Sequence, residues 1–273
     1  MASSVSREAY GEASDQLAAN TAAATAPQLA TVADEILSVA GLLRAQPRLR
    51  RALTDPSRPG SDRAGLLRSL LAGKVSETTV NAVAALVAGR FSRPSELLDA
   101  AERLGVDALL ASADREGKLA DVEDELFRFG QIVSGDSQLA VTLSDAGAPV
   151  EPRVKLVQDL LKGKVHGVTG RLAEVALTGF GGRGFQASLT RLVEVTAAKR
   201  DREVAYVTVA KPLTDADEQS LAAKLSALYG REVSLKVDVD PSVLGGVSVR
   251  VGSDLYDGTV LRKLNQAKQA FAK

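Results

Sequence analysis

Residues 240–264 read DPSVLGGVSVRVGSDLYDGTVLRKL, which places a Gly-Gly pair and an Asp-Gly pair near the end of a chain rich in alanine and leucine. A phosphate-binding glycine loop joins a strand to a helix and usually contains a lysine. Gly245 and Gly246 instead precede the alternating segment 247–251 (VSVRV), whose period of two predicts a strand. We therefore expect a sharp backbone turn at this pair rather than a catalytic or phosphate-binding loop.

The second pair, Asp257 and Gly258, precedes an apolar periodic segment that predicts a last helix at 259–271. A carboxylate at a helix start accepts hydrogen bonds from free backbone N–H groups and suits the helix dipole. We interpret Asp240 and both glycine-containing pairs as corners of the fold that carry no chemistry.

The region around this stretch predicts a small α/β domain over residues 203–273. Alternating valines indicate strands at 204–210 and 233–239, and a helix between them begins at Thr214 and ends at Gly230. The residues expected on its inward face are Leu221, Leu225 and Leu228. With the strand at 247–251 and the last helix, the predicted order is β-α-β-β-α.

The rest of the chain contains an internal repeat. A shift of 90 residues aligns 29–91 with 119–181 without gaps and gives 18 identities in 63 positions, against roughly a tenth expected by chance. The polar residues that are identical in both copies include Asp34, Glu35, Asp55, Arg63, Lys74 and Thr79. A duplicated structural unit is the interpretation that accounts for these matches.

Each copy of the repeat predicts a small helical bundle. In the first copy the apolar positions 29–43 follow helical spacing, a second helix at 63–71 stops at Gly73, and a third covers 77–89. A helix at 95–113 connects the copies, and its continuation through Gly117 is left open.

The predicted fold class is therefore α+β, multidomain and mainly α. Duplicated N-terminal helical bundles occupy residues 1–115 and 116–202, and the small β-α-β-β-α domain follows at 203–273.

Composition excludes several classes of function. Lys plus Arg and Asp plus Glu both total 34, so the formal net charge is zero and no general affinity for nucleic acid is expected. The chain has no Cys and one His, which leaves no ligand set for zinc and no His-based triad. The start of the chain lacks the apolar core of a secretion signal, and no apolar run is long enough for a membrane helix. We expect no cofactor, no metal and no catalytic site.

The C-terminal stretch resembles a known signature. Asp240 to Gly252, followed by Asp257 to Leu264, is similar to the C-terminal signature of the delta subunit of F-type ATP synthases, whose mitochondrial counterpart is the oligomycin-sensitivity-conferring protein. Thr259 stands where this family often has Ser. The usual form has one helical bundle, so two bundles resemble the longer actinobacterial form of the subunit.

The resemblance implies a non-catalytic peripheral-stalk, or stator, subunit of the proton-translocating enzyme. Its helical part would bind the N-terminal segment of an alpha subunit and its C-terminal domain would bind the b-type stalk, so that the catalytic head is held against rotation. It would act at the cytoplasmic face of the cell membrane, in contact with the membrane only through the complex. Recognition of this kind depends on a few apolar anchors. The residues interpreted as possible partner contacts are Tyr10, Leu17, Val80, Val83, Val87, Leu261 and Leu264. Core packing is an equal alternative for Tyr10 and Leu17.

Four weaker motifs favour structural roles. Residues 179–184 match G-x-G-x-x-G but follow a predicted helix, which favours a helix–helix loop over dinucleotide binding. His166 has no ligand partners nearby in the sequence, and the carboxylates of 121–125 surround an apolar helical stripe. Arg48, Arg50 and Arg51 form a basic cluster in which a solvated loop edge is favoured over an acidic partner. Two other functions stay open: a free-standing helical adaptor for amphipathic peptides, and an RNA-binding helical bundle that uses these arginines.

Overall fold

A computed structural model describes residues 4–200, 202–230, 232–241, 243, 245–251 and 254–258. By its internal contacts the chain divides into two compact units, Met1–Leu189 and Thr190–Lys273. Both aligned repeat segments, 29–91 and 119–181, lie within the first unit, and the sheet lies within the second. The division falls inside a helix, earlier than the expected boundary between residues 202 and 203.

The first unit consists of helices. Those of the first copy are α1 (Ser4–Asn20), α2 (Ala26–Ala45), α3 (Pro47–Leu53), α4 (Gly60–Leu71) and α5 (Glu77–Ala88). They are followed by α6 (Pro94–Arg115), α7 (Leu119–Gly135), α8 (Ser137–Ser144), α9 (Val150–Leu161) and α10 (Gly167–Leu177), then by a 3-10 turn (Phe180–Gly182). The next helix, α11 (Phe185–Lys199), begins in the first unit and belongs to the second unit from Thr190 onward. The offset of 90 residues therefore recurs in the order and the bounds of the helices.

Helix α6 belongs to both copies. It begins at Pro94, ninety residues after the start of α1 at Ser4, so it is the last helix of the first bundle and the first helix of the second. It packs against α1, α2, α3 and α5 on one side of the repeat and against α7 and α10 on the other. Its buried residues accordingly lie around most of its circumference rather than on one stripe.

Helix α6 is not continuous with α7. Gly117 has a φ of 68°, which is the left-handed conformation that ends a helix. The N–H groups of Gly117 and Lys118 donate to the carbonyls of Asp114 (3.0 Å) and Ala113 (2.8 Å) and complete the cap. The second copy therefore begins a new helix at Leu119.

The second unit has a four-stranded sheet in the order β2-β1-β3-β4. The strands are β1 (Arg202–Val209), β2 (Glu232–Val239), β3 (Val247–Val251) and β4 (Asp254–Asp257), with α12 (Asp215–Tyr229) between β1 and β2. Strands β1 and β2 are parallel, as the helical crossover requires, and the other two pairs are antiparallel. Strand β4 is absent from the predicted order, and the expected last helix lies outside the described residues.

The core of the sheet forms mainly as the alternation predicts. One face of β1 and β3 is buried, and α12 begins with the capping box of Thr214 and Asp217 and ends at the left-handed Gly230. Leu225 is buried as expected, but the prediction for Leu228 is wrong because that side chain is 63% exposed. Tyr229 packs against the core instead.

The polar face of the sheet is also covered. Lys236 lies opposite Tyr206 in the β1–β2 pairing and is only 4% exposed. The Tyr206 hydroxyl donates to the carbonyl of Thr190 on α11, at 3.3 Å. Lys236 therefore lies in a second packed layer, which the alternation in sequence does not reveal.

Candidate partner-binding surfaces

The N-terminal candidates are engaged within the first unit. Tyr10 is half-buried, and its hydroxyl donates to Asp107 of α6. Asp107 also accepts from Arg103, at 2.9 Å. Burial, followed by the Asp107 carboxylate, raises the pKa of the Tyr10 hydroxyl well above its usual value. Leu17, on the same helix, is buried. Tyr10 and Leu17 thus attach α1 to the bundle.

The candidates on α5 lie in the helical core. Val80, Val83 and Val87 are at most 5% exposed, on a helix that packs against α1 and α4. The approach of α1 is close, since a methyl group added at Gly89 would lie 2.3 Å from the Cβ of Ala9. A bound segment would contact these valines only after a neighbouring helix had moved. Leu261 and Leu264 lie outside the described residues.

The signature residues form two backbone corners of the sheet. Gly245 and Gly246 have φ values of 90° and 88°, a conformation that favours glycine, directly before β3. The N–H of Asp240 donates to the carbonyl of Val209 at 2.9 Å and holds the end of β2 beside β1. These contacts fix the entry of β3 into the sheet and involve no exposed reactive group.

Asp257 ends a strand that the sequence did not predict. It is the last residue of β4 and pairs with Ser248. The helix that it is expected to cap lies outside the described residues, so that its capping role stays a prediction. The N–H of Gly258 donates to the carbonyl of Val247 at 2.9 Å, and a Cβ at Gly258 would lie 3.1 Å from that oxygen. Gly258 thus permits a close backbone approach, and the residues beyond it are not described.

The G-x-G-x-x-G segment joins α10 to α11. Gly179, Gly181 and Gly182 all have positive φ, and the N–H of Gly181 donates to the Glu102 carboxylate at 2.8 Å. No strand precedes the segment. Burial is the main cause that raises the pKa of Glu102, opposed by the Gly181 N–H and by Arg44. The protein's own carboxylate therefore occupies a backbone N–H that a phosphate would need.

His166 is the N-cap of α10. Its Nδ1 accepts from the N–H of Val168 (3.3 Å), and its Nε2 lies 2.8 Å from a Glu116 carboxylate oxygen. Among the described residues, no group of three or more His, Asp or Glu side chains is arranged to hold a metal ion. The imidazole thus has a capping role that the sequence analysis did not specify.

Two half-buried polar arrangements recur at the repeat distance, and the sequence analysis missed them. The Glu35 carboxylate accepts from the N–H and hydroxyl of Ser76 and from the hydroxyl of Thr79. In the second copy Glu125 accepts from the N–H of His166 and the hydroxyl of Thr169. Each carboxylate ties the middle of one helix to the start of another, 41 residues away. The identity of the Glu and the Thr in both copies was the signal that could have revealed them, although Ser76 is replaced by His166.

This arrangement predicts a pH dependence of stability. Burial raises the pKa of Glu35, but the hydrogen bonds from Ser76 and Thr79 outweigh it, so that the net shift is downward. A lowered folded pKa contributes stability that is present above the unfolded value and is lost as pH falls through the folded value. We expect the destabilisation caused by Glu35→Gln to shrink as pH falls from about 6 to about 3.

The measurement is urea unfolding of the unsubstituted protein and of the Glu35→Gln variant across this pH range. Glu12→Gln is the control, because the Glu12 side chain is exposed on α1 and forms no hydrogen bond or ion pair with a described residue. A Glu35→Gln penalty that stays constant down to about pH 3 would contradict the assigned role.

Comparison with known proteins decides the family. A family profile described as "ATP synthase delta (OSCP) subunit" matches this chain twice, at residues 15–105 and 106–271. The chain belongs to the ATP synthase delta (OSCP) subunit family. The two matches divide the chain within α6, the helix that both copies share.

Relatives align along the whole chain. "ATP synthase subunit delta" of Salinispora arenicola (strain CNS-205) is 61% identical over 100% of both chains. The proteins of the same name from Parafrankia sp. (strain EAN1pec) and Streptomyces griseus are each 44% identical, over 93% and 98% of this chain and 91% and 99% of theirs. The long form with a duplicated helical region is therefore shared with actinobacterial members.

A solved structure is also similar. It is titled "Cryo-EM structure of Toxoplasma gondii mitochondrial ATP synthase hexamer, composite model" and matches with a TM-score of 0.38 and 19% identity, over 62% of this chain and 95% of that one.

Family membership settles the class of function. The protein is a structural subunit of ATP synthase and not a catalytic one. No described helix has both the length and the apolar character needed to cross a bilayer.

Proposed function

We propose that the protein is the stator link between the catalytic head and the peripheral stalk. The helical region would bind the N-terminal segment of the alpha subunit, and the domain at 203–273 would bind the b-type stalk subunit at the cytoplasmic face of the cell membrane. The observation that carries this proposal is the double match to one family, over 15–105 and 106–271. The domain organisation into 1–115, 116–202 and 203–273 is part of the same proposal.

The packing suits a link that transmits force. Two attachments in series resist rotation only if the segment between them does not deform. The half-buried Glu35 and the buried Glu102 fix a helix start and a loop to helices far away in the sequence. Tyr10 and the α1–α5 pair remain the proposed contact region for the alpha subunit, and Leu261 and Leu264 remain proposed contacts for the stalk.

Titration calorimetry of the full chain tests the proposal. The titrants are a peptide of the alpha-subunit N-terminus and a peptide of the C-terminal helix of the stalk subunit, both from the same organism. We expect one saturable site for each peptide. Three exposed apolar residues locate the sites through substitution to Asp: Val5 on α1, Ile132 on α7 and Leu255 on β4.

The expected pattern is selective. Val5→Asp should weaken the binding of the alpha-subunit peptide roughly tenfold. Leu255→Asp should weaken the binding of the stalk peptide by a similar factor. Ile132→Asp, on the second copy, is the comparison that shows whether the alpha peptide uses that copy. If neither peptide binds, the stator link is refuted and a general peptide adaptor is favoured.

A further inference from the structure

A charged cleft lies between two loops of the first copy. The loop from α3 to α4 and the loop from α5 to α6 enclose a volume of about 490 Å³. Phe91, Pro56 and Pro94 supply apolar lining, and Arg51 and Arg58 supply guanidinium groups. The cleft thus combines an apolar pocket with positive charge.

One acidic side chain lies in the lining beside these arginines. The Oδ1 of Asp55 accepts from the N–H and hydroxyl of Ser57, at 2.9 and 2.7 Å, and its Oδ2 lies 3.7 Å from the Nε of Arg58. Within the described part of the chain, the exposed side chains of Arg48, Arg51 and Arg90 have no recorded hydrogen bond or ion pair. Arg48 lies one helical turn before Arg51, and Arg90 directly precedes Phe91. The chain as a whole is neutral, so this positive charge is a local feature.

The second copy lacks the cleft chemistry at the same positions. Ninety residues after Arg48, Arg51, Arg58, Arg90 and Phe91 stand Gln138, Val141, Ala148, Phe180 and Gly181. Phe180 is buried there, and the backbone of Gly181 is bonded to Glu102.

The buried frame under the cleft is nevertheless the same in both copies. Arg63 and Arg153 each bind the carbonyls of the preceding loop. Exposed charges contribute little to stability. The fold therefore does not require the exposed arginines of the cleft, Arg51 and Arg58, and their presence points to binding.

We propose that this cleft binds an acidic polypeptide segment in which an apolar side chain lies between carboxylates. Guanidinium groups pair with carboxylates through two parallel hydrogen bonds, and Phe91 with the two prolines would contact the apolar side chain. A nucleic acid strand is a poorer fit, because its affinity comes from several phosphate contacts along a groove. The site belongs to the first copy alone. It does not depend on the proposed stator function.

Fluorescence anisotropy with the full chain tests the binding chemistry. The probes are a labelled peptide of repeating Asp-Leu-Glu, the matching Lys-Leu-Lys peptide, a single-stranded RNA and anionic lipid vesicles. We expect the acidic peptide alone to bind, with an affinity that falls as salt rises. The double substitution Arg51→Glu and Arg58→Glu should weaken the binding of the acidic peptide about tenfold or more.

The repeat supplies a matched control. Val141→Glu and Ala148→Glu place the same charges at the equivalent positions of the second copy and should leave the affinity unchanged. Equal losses in both variants, no binding of the acidic peptide, or binding of RNA or vesicles in its place would overturn the proposal. All four positions are on the surface or half-exposed, and circular dichroism checks that both variants fold.

Photo-crosslinking in the intact ATP synthase gives a second, independent test. A photoreactive amino acid replaces Ser57, which is exposed in the loop beside the cleft, or Gly147 at the same place in the second copy. Mass spectrometry then identifies the crosslinked segment. We expect an acid-rich segment at position 57 and not at position 147. A basic or neutral segment at position 57, or no crosslink, would contradict the proposal even if the stator function is correct.

Discussion

Replacement of Arg63 by alanine is expected to lower the free energy of unfolding by about 3–5 kcal/mol. Arg63 is 4% exposed, and its guanidinium donates to five carbonyls, those of Asp55, Arg58, Val87, Ala88 and Gly89. The last three lie at the end of α5, where a helix leaves carbonyls without partners. Alanine would remove a buried charge together with every one of these bonds, and the carbonyls would lose their donors inside the protein.

Arg153→Ala is the matched comparison within the same chain. Arg153 occupies the equivalent place but donates to only three carbonyls, at 3.2 to 3.4 Å, and none of them belongs to α10. We expect the free energy of unfolding to fall by roughly half as much as for Arg63→Ala. Urea unfolding measures both losses, and the dependence of the free energy on urea concentration should stay unchanged. Equal losses at both positions would show that burial of the side chain, and not the tie to α5, accounts for the effect.

Helical structure was predictable because the repeat was visible. Apolar spacing placed α2, α4 and α5 and their counterparts, and Gly73 and Gly163 end the same helix in both copies with a φ of 70°. The assignment of α6 was harder. Its residues read as a connecting helix, although the contacts place it in both bundles.

Strand β4 could not be predicted for a different reason. Its four residues, Asp254 to Asp257, are too few for a period of two to be recognised, and two of them are acidic. The strand exists because its backbone pairs with β3. Leu228 was assigned to the core from spacing alone, yet the end of α12 turns Tyr229 toward the sheet instead.

The residues predicted to contact partners show the limit of apolar patterns. Val80, Val83 and Val87 follow helical spacing, which a core and a binding groove share, and the structure places them in the core. The polar residues that are identical in both copies of the repeat were more informative about the structure than the apolar ones. Glu35 and Thr79 are both retained in the second copy, but only the folded chain shows that they bind one another. Sequence identifies such residues, whereas contacts 41 or more positions apart assign their roles.

Substitution of Leu104 by alanine is expected to destabilise both helical copies together, by about 2–5 kcal/mol. Leu104 is fully buried on α6, which packs against α1, α2, α3 and α5 as well as α7 and α10. A cavity in a helix shared by two bundles removes packing from a single cooperative unit. Hydrogen exchange should therefore accelerate by a similar factor in α2 and in α10.

Mass spectrometry of exchange in α2 and α10 is the deciding measurement. Leu228→Ala is the control, because that side chain is 63% exposed and the change should cost less than about 0.5 kcal/mol. If Leu104→Ala accelerates exchange in α2 but leaves α10 protected, the copies unfold independently, and α6 then connects two separate bundles. Joint acceleration means that the duplication extended one rigid body rather than adding a second one, which is the behaviour that a force-bearing link requires.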